Sequence, residues 1–361
     1  MNDKWRIVIV NEKATSQIRR VLSELQNLGY NALFSQSPIC KDEYLNIIRP
    51  GSREKYQVEE CVLVDWIPHI QLVPDLVASG VVFSDDGPRA MALYLLEKLD
   101  VIHKKKKPYG GLPLSLRPPP FTIIAEVYYR GYEWTLEKAY TFLSTGADAV
   151  SIGIIPGLEP SQNILLRLVE ELSKDTSVCI DTVNYQIMAS AIEKGAVCGL
   201  SLTHTTMHNL PVRLRDKAAY VFIPETRKVV SELVHVYEEA FRAGYSYPII
   251  DPILYPPIRP GVLERFLYAR ELASSISAPF MLGINNVYEL VDADTPGVIT
   301  LLLSLAGEAG VSVILVSEES PKARGAVLET RLAASLVELS LYYGTPPKDY
   351  PVRLLFVKSK R

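Results

Sequence analysis

The chain has 361 residues, 48% of them hydrophobic and 22% charged, and its 38 Lys plus Arg stand against 41 Asp plus Glu for a formal net charge of −3. That is an ordinary globular composition, without the basic excess of a polyanion binder or the apolar poverty of a disordered chain, so no nucleic-acid partner is expected. No apolar run approaches the roughly 20 residues that span a bilayer, and the first residues lead into a strand-like run without a leader pattern, which predicts a cytoplasmic protein with no membrane partner.

From the N-terminus, Arg6 to Val10 reads as a strand, Thr15 to Leu28 as a helix, Cys61 to Asp65 and Val81 to Phe83 as strands, and Pro88 to Leu99 as a helix. Residues 1–105 are thus expected to form a small α/β domain. The cysteines Cys40, Cys61, Cys179 and Cys198 make no CxxC pair, and the last two sit in apolar strand-like runs, which predicts buried thiols rather than a zinc site or disulfides. The lysine run Lys104 to Lys107, beside Gly110-Gly111 and ahead of Arg117-Pro118-Pro119-Pro120, marks residues 106–120 as a solvated basic linker.

Over residues 121–361, short β-branched runs alternate with amphipathic segments. The expected strands are Phe121 to Val127, Ala149 to Ile154, Val178 to Asp181, Val197 to Leu202, Tyr220 to Ile223, Pro248 to Asp251, Phe280 to Ile284 and Val311 to Val316. A helical segment is expected after each, from Trp134 to Ser144 after the first to Ala326 to Tyr343 after the last. Eight such units fit a (β/α)8 barrel better than the alternative, a doubly wound open sheet.

In a barrel the chemistry lies at the C-terminal ends of the strands, so position acts as a filter. Glu126, Asp181, Ser201, Thr203, His204, Asp251, Asn285 and Asn286 pass it, as does Ser317-Glu318-Glu319 after the last strand. Asp181 and Asp251 stand out, because a carboxylate at the end of a buried strand needs a partner to stay ionised; the alternative is turn or cap stabilisation. Two carboxylates with asparagine amides suit a flat heterocycle with adjacent ring N–H and amino groups, such as a pterin or a purine.

Ser320-Pro321-Lys322-Ala323-Arg324-Gly325 gathers two cations before the last helix, either an anion site or a basic turn on a solvated rim. Asp292-Ala293-Asp294 reads as a helix start with Pro296 in the first turn more readily than as a metal loop. His204 and His208 lack a third ligand and a helix to hold both, so they are not read as a metal pair. Tyr128-Tyr129-Arg130-Gly131-Tyr132 fits either ring stacking or loop packing.

Several of these segments together resemble a known family. Ala147-Asp148-Ala149-Val150-Ser151-Ile152-Gly153, Cys179-Ile180-Asp181-Thr182, Gly195-Ala196 with Leu200-Ser201, and Asp251-Pro252 look like the successive strand motifs of dihydropteroate synthases and related pterin-binding barrels. Asp251 to Pro257, Asn286 to Asp294, Ser320 to Gly325 and Pro346-Pro347-Lys348-Asp349 resemble the archaeal dihydropteroate synthase-like proteins, which carry an extra N-terminal domain. The resemblance implies a pterin pocket in the barrel mouth with Asp181, Asp251, Ser201, Asn285, Asn286 and Glu126 around the ring. It also implies transfer of a dihydropterin-methyl group from its diphosphate to an arylamine in folate or methanopterin synthesis, with Lys322, Arg324 and Gly325 on the departing anion and Mg2+ assisting. A homodimer is expected on the same ground. The chain also departs from the synthases: Glu126-Val127-Tyr128 stands where they carry a long Asn-Val-Thr-Pro-Asp loop, and Asn285-Asn286-Val287 where they carry Ser-Arg-Lys. A pterin-dependent methyl-transfer module and a non-catalytic pterin-binding paralogue are therefore the alternatives.

Overall fold

The computed structural model describes residues 6–10, 31–36, 44–48, 62–65, 98–158 and 160–348, with positions 22, 26, 38 and 354. The chain divides into two compact units, one from Met1–Asp100 with Tyr342–Pro351 and one from Val101–Leu341 with Val352–Arg361. In the first, strands β1 (Arg6–Val10), β2 (Asn31–Ser35), β3 (Tyr44–Ile48) and β4 (Val62–Asp65) form a parallel sheet in the order β2-β1-β3-β4. The expected helix from Thr15 to Leu28, strand from Val81 to Phe83 and helix from Pro88 to Leu99 lie outside the described residues, apart from positions 22, 26, 98 and 99, which are helical.

The second unit opens with a hairpin inside the stretch read as a linker. Strands β5 (Lys107–Tyr109) and β6 (Leu112–Leu114) pair antiparallel across Gly110 and Gly111, whose φ angles of 61° and 96° suit a two-residue turn that twists with the strands. A Cβ on Gly110 would stand 2.3 Å from the Ala219 nitrogen, so only glycine lets the turn press against the sheet. Leu112 and Leu114 pack with Ile124, Ala149, Cys198 and Val313, closing the N-terminal end of the barrel.

The barrel strands are β7 (Thr122–Tyr128), β8 (Ala149–Gly153), β9 (Ser177–Asp181), β10 (Cys198–Leu202), β11 (Ala219–Phe222), β12 (Pro248–Ile250), β13 (Met281–Gly283) and β14 (Val313–Ser317). All pair in parallel in the order β12-β11-β10-β9-β8-β7-β14-β13, and a bridge from Ile250 to Phe280 brings the ends together. This is the expected (β/α)8 barrel and not an open sheet. Ile124, Cys179, Ile249 and Leu315 fill its interior, whereas Ile123, Ala125 and Val127 face the surrounding helices. Cys179 and Cys198 are buried free thiols, as expected.

Around the sheet lie α1 (Tyr132–Ser144), α2 (Gln162–Leu172), α3 (Tyr185–Glu193), α4 (Val229–Arg242), α5 (Leu263–Ser275), the short α6 (Asn285–Tyr288), α7 (Thr295–Glu308) and α8 (Ala326–Tyr343). Asn184 starts α3 by accepting the Gln186 and Ile187 N–H groups, and Asp294 stands at the N-cap of α7 ahead of Pro296. The expectation of a helix after every strand fails once. Between β10 and β11 there are two 3-10 turns, Met207–Asn209 and Val212–Leu214. The Arg215 guanidinium orders this segment instead, donating to the carbonyls of Leu210 at 2.8 Å, Ala243 at 2.9 Å and His208 at 3.1 Å. Among the described residues, no helix is long and apolar enough to cross a membrane.

Candidate functional site at the barrel mouth

Strand side chains alternate, so the residue two places beyond an interior position faces the interior again. Ile124, Ala149, Cys179, Ile249 and Leu315 are interior. Glu126, Ser151, Asp181, Asp251 and Ser317 therefore point inward at the C-terminal mouth, where the sequence reading expected chemistry.

Glu126 is 2% exposed, and its carboxyl is held well above the usual carboxylate range, by burial first and then by the neighbouring Asp181 carboxyl; Asp181 is raised too, again by burial. Two buried carboxyls in contact share a proton more readily than they carry two charges. Gly153 makes the contact feasible: it pairs with Asp181 in the sheet, and a Cβ there would lie 2.8 Å from the Tyr128 ring and 3.1 Å from Glu126 Oε1.

Asp251, 7% exposed, is pushed up to about 7 by burial, against the Ile253 N–H that donates to its Oδ1 at 2.7 Å and the charge of Arg265. The Asp181 carboxyl, inward on the same interior, raises it further. The Arg265 guanidinium lies 3.8 Å from the Tyr255 ring centroid and donates to the Pro252 carbonyl at 3.1 Å, bracing the loop that follows Asp251.

On the stretch of wall between Asp251 and Glu126, formed by β13 and β14, the Asn285 amide donates to Ser317 Oγ at 3.2 Å, and Ser317 Oγ donates to Glu289 Oε1 at 3.0 Å. Glu289 also accepts the N–H groups of Glu319 and Ser320, while the buried Tyr288 hydroxyl donates to the Ser317 carbonyl at 2.5 Å and accepts its N–H at 2.9 Å. Asn286 is exposed and donates to the Leu254 carbonyl at 2.9 Å, tying the loops after β12 and β13 together. Ser201 is half-buried in β10, where the register with β11 shifts.

Three buried polar atoms of this region, Glu126 Oε1, Ser151 Oγ and Asn285 Oδ1, have no hydrogen-bond partner within the protein. Buried polar atoms are seldom left in that state, and these three sit on β7, on β8 and just after β13. They leave one hydroxyl and two acceptor-capable oxygens for a guest.

The anion candidates are arranged differently. Lys322 donates to the Val291 carbonyl, and the first turn of α8 offers its Val327 N–H to Glu318 Oε1 at 3.2 Å. Arg324 lines a cavity of about 280 Å³ with Glu126, Arg130, Trp134, Lys138 and Glu318. Gly325, at φ 85°, turns the chain from Arg324 into α8. Glu318 pairs with Lys138 at 2.8 Å and Glu319 with Arg130 at 2.5 Å. These carboxylates are matched by cations, and Glu126 is engaged with Asp181, so the donor set does not fit a magnesium ion, which needs ionised oxygens with room for its waters.

A second cluster escaped the sequence reading. His204 and His208, set aside for want of a third ligand, meet His235 and Glu239 of α4. The four-residue spacing of His235 and Glu239 was visible in the sequence; their closeness to the loop after β10 was not.

In comparison with known proteins, no family profile matches the chain. An uncharacterised protein of Methanocaldococcus jannaschii is 28% identical over 240 residues, 62% of this chain and 46% of that protein, so the chain spans under half the length of this relative. Among solved structures the barrel is similar to the dihydropteroate synthase of Thermus thermophilus, at 21% identity over 61% of this chain and 94% of that one with a TM-score of 0.48. It is likewise similar to the Yersinia pestis dihydropteroate synthase solved with a pterin-sulfa conjugate, at 17% identity over 64% of this chain and 96% of that one with a TM-score of 0.48.

Proposed function

We propose that the barrel mouth binds a pterin. The observation that carries this reading is the set of unpartnered buried oxygens, Glu126 Oε1, Ser151 Oγ and Asn285 Oδ1, beside the inward carboxyls of Asp181 and Asp251. A pterin edge presents adjacent ring N–H and amino donors with a carbonyl acceptor. Ionised Asp251 would accept paired hydrogen bonds from the donors, and the Asn285 amide and a protonated Glu126 would answer the remaining groups. The motifs around Asp181 and Asp251 resemble the pterin-binding barrels, which points to the same guest.

The finer form of the proposal is a transferase that joins a dihydropterin to an arylamine. The amine nitrogen attacks the methylene carbon as the C–O bond to diphosphate breaks, and a proton leaves the nitrogen. The chain would contribute alignment of the two reactants and charge on the departing anion, with no covalent nucleophile. Arg324, Arg130 and Lys138, which line one cavity with Glu126, are the cations proposed for that task.

One observation favours a second reading, a pterin-binding module without diphosphate chemistry. Lys322 and the first turn of α8 are engaged by the chain's own Val291 carbonyl and Glu318 carboxylate. Calorimetry with a reduced pterin and with its hydroxymethyl diphosphate tests both. Binding of both compounds, weakened by Asp181→Ala and Asp251→Ala, supports the pterin reading, and pyrophosphate release with an arylamine supports the transferase. Absence of binding to either compound refutes both.

A further inference from the structure

Away from the inward carboxyls, the loop after β10 and helix α4 bring three imidazoles onto one carboxylate. His204 Nε2 lies 2.7 Å from Glu239 Oε2, and His235 Nε2 lies 3.4 Å from the same oxygen. The ligand atoms of His204, His235 and Glu239 all lie within 4.8 Å of one another, and the two imidazole rings are 5.5 Å apart between centroids. His208 Nε2 approaches the other oxygen, Oε1, at 3.6 Å. We propose that His204, His235 and Glu239 bind a divalent first-row transition metal of the zinc type.

Four features carry the inference. The first is distance: donors bound to zinc at about 2.0–2.2 Å in a tetrahedron stand roughly 3.3 Å apart, and the spacings to Glu239 Oε2 bracket that value. The second is direction. Glu239 Oε2 is buried and has no hydrogen-bond partner, although an imidazole nitrogen stands 2.7 Å away. The nitrogen and oxygen converge without the alignment of an N–H donor, as two ligands of a common ion do.

The third is charge. Ion pairing alone would call for adjacent imidazolium rings on a single carboxylate, at mutual repulsion. A metal instead takes lone pairs from neutral imidazoles and leaves the carboxylate ionised. The fourth is support from the loop. Glu225 accepts hydrogen bonds from Thr203 Oγ1 at 2.8 Å, from the Thr205 N–H at 3.2 Å and from the Thr205 hydroxyl, which fixes the residues on either side of His204.

The ligand set also selects the ion. Two imidazoles and one carboxylate suit zinc and its neighbours in the first transition row, while magnesium and calcium prefer all-oxygen sites. Three protein ligands leave a coordination position for water or a further ligand. His208, on the second carboxylate oxygen, is a positioning residue that orients Glu239.

The untagged full chain, stripped of metal by chelator and dialysis, is titrated with Zn2+ by calorimetry and with Co2+ by visible absorption. One equivalent of each binds, and cobalt gives the intense visible bands of a low-coordinate site. His235→Ala and Glu239→Gln weaken Zn2+ binding by more than the roughly 10–100-fold that loss of an outer-shell partner costs, whereas His208→Gln stays within that range. The three histidines lie on the partly exposed rim, so thermal unfolding of the metal-free variants matches that of the metal-free parent. Failure of the parent to bind one equivalent overturns the proposal, as does binding that His204→Ala and His235→Ala leave unchanged.

Discussion

Glu126 and Asp181 meet inside the barrel mouth across Gly153, the β8 residue that lies between their strands and carries no side chain. Replacing this glycine tests the contact. In Gly153→Ala the new methyl would meet the Tyr128 ring at 2.8 Å and Glu126 Oε1 at 3.1 Å, so one of them must move. Overpacking of this kind costs about 1–3 kcal/mol, and the displaced carboxyl should lower the affinity for a pterin. Denaturant unfolding and ligand titration of the same variant check the two effects; unchanged affinity would mean that Glu126 lies outside the guest's reach.

The raised carboxyls of Glu126 and Asp181 make stability depend on pH. Because the folded state holds the proton more tightly than the unfolded chain, the stabilisation is complete below the ordinary carboxylate range and is lost as pH rises through the raised value. Glu126→Gln places a neutral amide where the protonated carboxyl sits. It should match the parent only in buffer more acidic than the ordinary carboxylate range and exceed it increasingly as pH rises above that range, as measured by urea unfolding across a pH series. A difference that does not change with pH would contradict the shared proton.

Asp251 makes the same kind of contribution over a defined window. Its carboxyl is raised to about 7, so the stability tied to its proton is present below the unfolded value near 3.8 and lost as pH climbs to about 7. At about 1.4 kcal/mol per pH unit, that window bounds the loss at roughly 4 kcal/mol. Asp251→Asn keeps an acceptor for the Ile253 N–H and should flatten this part of the profile, seen as the difference between parent and variant in a pH series of unfolding curves.

The loop after Asp251 stores backbone strain. Ile258 has φ 72° and is 90% exposed, so a β-branched side chain sits in the left-handed region with little burial in return. Ile258→Gly should relieve most of a strain of about 1–2 kcal/mol, less the greater freedom of an unfolded glycine, for a net gain of about 1 kcal/mol. Equal or lower stability in the variant would show that the left-handed conformation at Ile258 costs no more than the freedom glycine regains in the unfolded chain.

Much of the barrel could be read from the sequence, because the strands are short apolar runs, most of them rich in β-branched residues, with Gly, Pro or Asp punctuation between strand and helix. The expected ends differ from the observed ones by only one or two residues, as at Thr122–Tyr128 and Val313–Ser317. The hairpin at Lys107–Tyr109 and Leu112–Leu114 was hidden by its lysines and glycines, whose roles as turn and close contact appear only against Ala219. The missing helix after β10 was hidden too, because Arg215 replaces helical hydrogen bonds with contacts to carbonyls across the loop. In the candidate site, Asp181 and Asp251 were legible from strand-end position alone. The partnership of Glu126 with Asp181 was not, since it depends on the side chain that Gly153 lacks. The meeting of His204 with Glu239 was not either, since 35 positions of sequence separate a loop residue from its helix partner.

Under the pterin proposal, Asp181 and Asp251 hold one guest. The decisive experiment is a fluorescence titration of a reduced pterin against the parent, Asp181→Asn, Asp251→Asn and the double variant. Saturable binding by the parent is expected, with a weakening of roughly 10–100-fold in each single variant, the worth of one hydrogen bond to a charged group. The double variant should show a loss that differs from the sum of the two, as for residues that share a partner. Affinities in both single variants equal to that of the parent would contradict the proposal.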